Sequence, residues 1–320
     1  MPDVITMGEV MVQFNAVTRG PLRHVSLFEK HAAGAEGNVA IGVARLGSSS
    51  GIITRVGDDE FGHFLLGALR AENVDTSHVT VDRDSPTGVY FIQRGYPIPE
   101  KSSSVYYRRN SAGSKIGSTD VDQKYIGSAK IFHITGITPA LSESAKEATV
   151  LAVKSAKQQG VLVSMDTNVR LKLWTKENAR KILLPLCKIA DILFTSGPDS
   201  KIILGEDDPV RVAENLHRDG VVTVVVKLGE KGAFASSKGV TASQPVVRAP
   251  VEDPTGAGDS FAAAFLATQL KGWTLQDSLR AAAATAALVV TVRGDYEAIP
   301  DMDALQTFLD AERGKTEYLR

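Results

Sequence analysis

The chain has 320 residues, 43% of them hydrophobic and 23% charged, and a net charge of −1. This composition supplies a sizeable core and excludes wholesale disorder, and it lacks the basic field that a nucleic-acid partner requires. The one cysteine, Cys187, sits in the apolar run LLPLCKIADIL, which excludes a disulfide within the chain and reads as a buried, inert thiol.

Strand-like and helical patterns alternate from the start. Residues 4–7 read as a short strand. Residues 38–46 have helical spacing and stop at Gly47, a suitable residue just past a helix end. Residues 51–56 are strand-like, 60–72 helical and 131–134 strand-like, and 142–159 form a long helix ended by Gly160. Strands follow at 161–166 and 192–195. Asp208 and Pro209 open a helix that ends at Gly220. The run VVTVVVK at 221–227 is β-branched enough for burial on both faces. Such alternation predicts an α/β fold with a mostly parallel sheet between helices.

Two segments break the pattern. Residues 10–31 carry short β-like runs around the turn Arg19-Gly20-Pro21, and residues 87–110 carry GVYFIQRG and SSSVYYRR around Tyr96-Pro97-Ile98-Pro99. They read as two hairpins that together make a small β lid, discontinuous in the chain, on one unit spanning 1–320. The apolar stretch 281–292 is short and Ala-rich, a core helix rather than the roughly 20-residue span a membrane needs. The N-terminus lacks a charged segment followed by an apolar one, so a cytoplasmic location is expected.

The strongest chemical signal is EDPTGAGDS at 252–260, running directly into the apolar helix FAAAFLATQL. Gly256 and Gly258 keep side chains out of a tight turn. A helix N-terminus there adds partial positive charge, so the turn suits a phosphate or a developing oxyanion. Asp259, in the first turn, can take a proton from a hydroxyl attacking phosphorus. Taken alone, Gly-Ala-Gly reads first as a plain tight turn, with Asp259 an exposed acid at a helix start. No GxxxxGK[ST] loop is present, and no GxGxxG follows the first strand, which argues against a dinucleotide-dependent oxidoreductase.

This string fits the D-x-T-G-A-G-D signature of the ribokinase-like (PfkB) carbohydrate kinases, and the sequence resembles that family. The resemblance implies a three-layer fold and transfer of the γ-phosphate of ATP to a sugar hydroxyl with Mg²⁺. Asp259 would be the general base, and Gly256, Ala257 and Gly258 the anion hole. A second match, Ala33-Gly34-Ala35-Glu36-Gly37-Asn38, resembles the family's sugar-facing G-G-x-x-x-N segment, with Ala33 where the first Gly usually stands. It implies close approach of Gly34 to the sugar and a hydroxyl contact for Asn38, for which a helix N-cap is the alternative. The segment 55–62 reads as a structural strand-to-helix turn. Residues 226–232 resemble the loop that borders the nucleotide, which implies roles for Lys227, Gly229, Lys231 and Gly232; a β-hairpin turn is the alternative. The string DTNVR adds Asn168 to that side. The Ala-rich helix 279–291 suits either an adenine wall or helix packing. Where the family carries N-x-x-E, this chain has Ser196-Gly197-Pro198-Asp199, so Asp199 is left to act on Mg²⁺ through water.

The acceptor is read from arginines, the residues that capture carboxylates with a planar fork. Tyr106, Arg108 and Arg170 would converge on an acidic sugar; solvated surface charges are the alternative. Longer strings, TGVYFIQRGYPIP, SSSVYYRR, SAGS and DTNVRLKLW, resemble the 2-keto-3-deoxygluconate kinases of this family, particularly the archaeal kind. That likeness implies phosphorylation of the terminal hydroxyl of a 2-keto-3-deoxy aldonate, gluconate or galactonate, to the 6-phosphate. Gly34, Tyr90, Tyr106, Arg108 and Arg170 would contact it, with Asp259 and Asp295 at its hydroxyl end. A neutral-sugar kinase and a catalytically silent sugar-binding protein are the competing readings. The expected partner is a small sugar acid, with no nucleic acid or membrane. A homo-oligomer is expected, because lid strands have edges that need cover.

Overall fold

A computed structural model gives the fold and describes residues 1–99 and 101–312. In chain order the strands are β1 (Val4–Met7), β2 (Met11–Ala16), β3 (Phe28–Ala33), β4 (Ser50–Gly57), β5 (Val74–Asp75), β6 (Val79–Asp82), β7 (Val89–Arg94), β8 (Ser102–Tyr107), β9 (Ile131–Thr135), β10 (Leu162–Asp166), β11 (Ile192–Ser196), β12 (Thr223–Lys227), β13 (Ala233–Ser237) and β14 (Val240–Gln244). The helices are α1 (Ala35–Arg45), α2 (Glu60–Ala71), α3 (Gln123–Gly127), α4 (Glu143–Gln158), α5 (Lys176–Ile189), α6 (Gly197–Leu204), α7 (Pro209–Arg218), α8 (Ala257–Leu270), α9 (Leu275–Val289) and α10 (Met302–Glu312).

The large sheet runs β14-β13-β12-β11-β10-β9-β1-β4-β5, with β6 beside β4. It is parallel from β12 through β5, and β13 and β14 turn back antiparallel at one edge. Its central strands are buried on both faces, as the continuous apolar runs demand. One face packs against α4, α5, α6 and α7 through residues such as Ala148, Leu183, Ile203 and Leu216. The other packs against α1, α8, α9 and α10 through Val43, Phe265, Leu279 and Leu305. α8 is apolar all round and buried from Ser260 to Thr268, which fixes its N-terminus rigidly at the sheet's edge.

Local signals explain the helix ends. Ser142 caps α4, and Asp208, followed by Pro209, caps α7. Asp59 caps α2 and accepts from Thr87 N, so segment 55–62 is the structural turn expected. α1 begins at Ala35 rather than Asn38. The glycines of AGAEGN weaken the helical pattern, and tertiary packing overrides them. Cys187 is buried, and burial pushes its thiol up to about 12.

The two hairpins form as expected: β2 pairs antiparallel with β3, and β7 with β8. A parallel pairing of β2 with β7 merges them into one sheet, ordered β3-β2-β7-β8. No helix among the described residues is long and apolar enough to cross a membrane.

Candidate active site

The carboxyl ends of the parallel strands and the inner face of the small sheet enclose a cavity of about 1200 Å³. Crevices at that edge are where open α/β sheets bind ligands. Gly34, Tyr90, Tyr106, Arg108, Asn168, Arg170, Lys227, Gly256, Gly258, Asp259 and Asp295 all line it, although they come from distant parts of the chain.

The loop before α8 is built by Asp253. Its buried carboxylate accepts from the N–H and hydroxyl of Thr255 at 3.0 and 2.5 Å, and from Asn15 Nδ2 at 2.6 Å. This is an Asx turn, which reverses the chain locally. Gly256 then takes φ 78°, and a Cβ there would run into the carbonyl oxygen of Asp295. Only glycine fits both conditions. α8 starts at Ala257 with no side-chain cap, so the amides of its first turn are left for a ligand on the cleft side.

Asn38 holds the two acids of this region together. Its Nδ2 donates to Asp259 Oδ2 at 2.9 Å and to Asp295 Oδ2 at 3.1 Å. Asp295 also accepts from Gln13 Nε2 at 2.6 Å and Tyr90 OH at 3.0 Å. Burial pushes Asp295 up to about 7, and the nearby Asp259 charge adds to that. Burial also raises Asp259, against the hydrogen bond from Asn38 and the charges of Arg170 and Lys227. Asn38 is thus neither a helix cap nor on the cleft wall. It is 1% exposed, and its amide donates to the carboxylates of Asp259 and Asp295.

On the opposite side Lys227 Nζ pairs with Asp166 Oδ2, and it lies 3.5 Å from where a Cβ on Gly258 would stand. Asn168, at φ 31°, donates its N–H to Asp166 Oδ1 at 3.2 Å. The rest of the expected nucleotide loop follows Lys227 directly as a turn. Gly229, Lys231 and Gly232 form the hairpin turn between β12 and β13, closed by Leu228 N to Gly232 O at 2.8 Å, and none of the three lines the cavity. Asp199 is also off the wall. It accepts from Thr167 Oγ1 at 2.9 Å and Val169 N at 3.2 Å, bracing the segment that carries Asn168 and Arg170, and burial raises its pKa. Ala281, Ala282 and Ala284 are fully buried in the core beside α8, so that face of α9 serves helix packing.

At the acceptor end Tyr90 and Tyr106 stack with centroids 5.1 Å apart. Arg108 lies on the wall but already has a carboxylate partner: its Nε donates to Glu9 Oε2 at 2.6 Å. Arg170 is exposed; its carbonyl accepts from Leu173 N at 2.8 Å, but its guanidinium makes no hydrogen bond or ion pair with a described residue, and its charge acts on Asp259. Sequence reasoning missed Glu9, Asp166, Asp253 and Glu36. Glu36 is buried on the wall, accepts from Thr135 and Thr138 at 2.7 Å each, and is pushed up to about 7 by burial. An acid inside an apolar run, as in MGEVMV, is the signal that could have found Glu9.

The profile of the pfkB family carbohydrate kinases matches residues 1–302. The chain belongs to that family. It is 44% identical to a 2-dehydro-3-deoxygluconokinase of Thermoproteus tenax, covering 97% of this chain and 95% of that one. It is 36% identical to the enzyme of the same name from Bacillus subtilis, covering 97% and 96%. Its fold superposes on a solved E. coli structure described as a putative ribokinase II in complex with ATP and Mg²⁺. That match has a TM-score of 0.91 at 28% identity and covers 97% of this chain and all (100%) of the other. The ribokinase-like architecture and the carbohydrate kinase family expected from the sequence both hold.

Proposed function

We propose that this kinase uses ATP and Mg²⁺ to phosphorylate the terminal hydroxyl of 2-keto-3-deoxygluconate, or of its galactonate epimer, to the 6-phosphate. The observation that carries the reading is the placement of Asp259. Its carboxylate sits in the first turn of a buried 14-residue helix whose N-terminus is uncapped, inside a cavity that Lys227 and Arg170 also line and where both their charges act on it. The named relatives support the choice of a keto-deoxy sugar acid.

Residues fitted to a nucleotide are present. Uncapped amides at Ala257 and Gly258 would take phosphate oxygens, and Lys227 and Asn168 face the same space. Mg²⁺ usually keeps several waters and few protein ligands, so it would be held mainly by the ATP phosphates and water. Bound with ATP, Mg²⁺ supplies charge neutralisation on the phosphates; Asp199, engaged with Thr167, would act on it only through water.

In the transfer step Asp259 takes the proton as the acceptor hydroxyl oxygen forms its bond to the γ-phosphorus. The bond to the bridging oxygen breaks and ADP leaves with that electron pair. The amides of α8 stabilise the charge spread over the transferring oxygens. Asp259→Asn is expected to lower kcat by roughly 10²–10⁴-fold with ATP binding retained, the usual worth of a general base. Steady-state kinetics with calorimetric titration of ATP check this, and near-normal turnover removes Asp259 from the base role. One observation favours a neutral-sugar kinase instead: Arg108 is already paired with Glu9. Turnover across keto-deoxy acids, fructose and ribose separates the two.

A further inference from the structure

All four chain crossings between the large and small sheets meet at Glu9. Glu9 itself lies in the crossing from β1 to β2. A Cβ on Gly34, just after β3, would stand 2.5 Å from the Glu9 carbonyl oxygen, and one on Gly88, just before β7, 2.7 Å from Glu9 Oε1. Arg108, just after β8, donates from Nε to Glu9 Oε2 at 2.6 Å, and its Nη2 contacts the same oxygen. The Ser111 hydroxyl donates to Oε1, and Gly113 leaves room for the Glu9 side chain, which a Cβ there would strike.

The result is a fixed carboxylate in a nest of bare backbone. Its side chain is 0% exposed, while that of Arg108 keeps 10% exposure on the cavity wall. Glu9 cannot swing away, so the charge of Arg108 is cancelled in place. Arg170 differs, since among the described residues no carboxylate forms an ion pair with its guanidinium, which acts on Asp259 only at longer range.

We propose that Glu9 is a specificity-determining residue that weakens the grip of this site on its acidic acceptor, leaving Arg170 to supply the uncompensated charge and Arg108 to act as a directed donor within a neutral pair. The inference rests on the keto-acid reading given above. An acceptor carboxylate at Arg108 would face Glu9 across one guanidinium, two like charges a few ångströms apart. Their repulsion at the effective dielectric of a partly wet site exceeds the benefit of holding one side chain still. Binding that grips substrate and product equally lowers KM without speeding the chemistry. A tempered grip therefore favours release of a product that keeps the same carboxylate.

The test is Glu9→Gln, which keeps the shape and one carbonyl acceptor for Arg108. KM for 2-keto-3-deoxygluconate and the inhibition constant of its 6-phosphate are each expected to fall about tenfold, with no rise in kcat. Damage to the crossing would raise both, so the sign separates charge from structure. If the single variant does not fold, the same comparison between Arg108→Met and Arg108→Met/Glu9→Gln serves, and the acid must again bind more tightly without Glu9. An unchanged or higher KM in these pairs overturns the proposal. A wild type that does not phosphorylate the keto acid sinks the proposed function instead. Gluconate is then the competitive probe against whichever sugar is turned over, and no gain in its affinity on Glu9→Gln overturns the role of Glu9.

Discussion

Asn38 shows how much of the site depends on single residues acting across the chain. One amide serves two acids, Asp259 and Asp295, that lie 221 and 257 residues away. Both have raised pKa values, chiefly through burial, and the Asp259 charge also raises Asp295. As the proposed base, Asp259 would act only when ionised, so activity is expected to rise with pH through its raised pKa. The acid limb of kcat/KM is therefore expected above the ordinary carboxylate range. Asp295, pushed up to about 7, is protonated below that pH, so Asp295→Asn removes no like charge there and should leave an acid limb below pH 7 in place. A pH–rate profile of both proteins checks this, and a limb moved down by a full pH unit would mean that the two acids titrate as a coupled pair. Asp259 was legible in the sequence because its signature is local: a turn, two glycines and an acid inside nine consecutive residues. Glu9 was not, because its meaning depends on a partner 99 residues on.

The element on which the proposed chemistry depends is α8, and its start is set by one glycine. Gly256→Ala would force φ 78° on a residue with a Cβ and drive that Cβ into the Asp295 carbonyl. A loss of about 1–3 kcal/mol in denaturant unfolding is expected, with a fall in kcat as the first turn shifts. Gly229 offers the contrast. Its φ is 60°, but a Cβ there meets nothing within 4 Å. Gly229→Ala should cost about 1 kcal/mol of left-handed strain and leave KM for ATP near the wild-type value. A roughly tenfold rise in that KM would place the turn at the nucleotide. The turn between β12 and β13 is a hairpin with glycines at positive φ, a geometry that a plain turn and a nucleotide-bordering loop share, so its sequence could not choose between them. Likewise the alanines of α9 fit a ligand wall or a helix contact equally well until their burial is seen.

At the scale of the whole molecule, the small sheet is tied to the core by charge as well as by its crossings. Arg94 of β7 bonds Glu252 at 2.6 Å, Arg293 bridges Glu252 and Glu29, and His31 of β3 bonds Glu297 at 2.6 Å. The bond to Glu297, with the charges around it, raises His31 above its ordinary 6.5 against burial. Burial would raise Glu297, but His31 and backbone amides hold it below its ordinary 4.5. The His31 contribution to stability is present below about pH 6.5 and is lost as pH rises through the raised folded value. That of Glu297 is present above about 4.5 and is lost as pH falls through its lowered one. Thermal melts from pH 6 to 9 should show wild type losing its advantage over His31→Gln, by roughly 2 °C for a partly exposed pair; a constant difference would contradict the tie. The parallel sheet and both hairpins were legible from the alternation of apolar runs. The parallel β2–β7 pairing that joins the hairpins was not, because no local pattern fixes the register between strands so far apart in the chain. The account turns on an acidic acceptor, and one measurement meets that claim directly: kcat/KM for 2-keto-3-deoxygluconate and for fructose in wild type and Arg170→Met. A charge-assisted bond from Arg170 predicts a roughly ten- to hundredfold loss on the keto acid and little change on fructose, whereas equal losses on both sugars would contradict it.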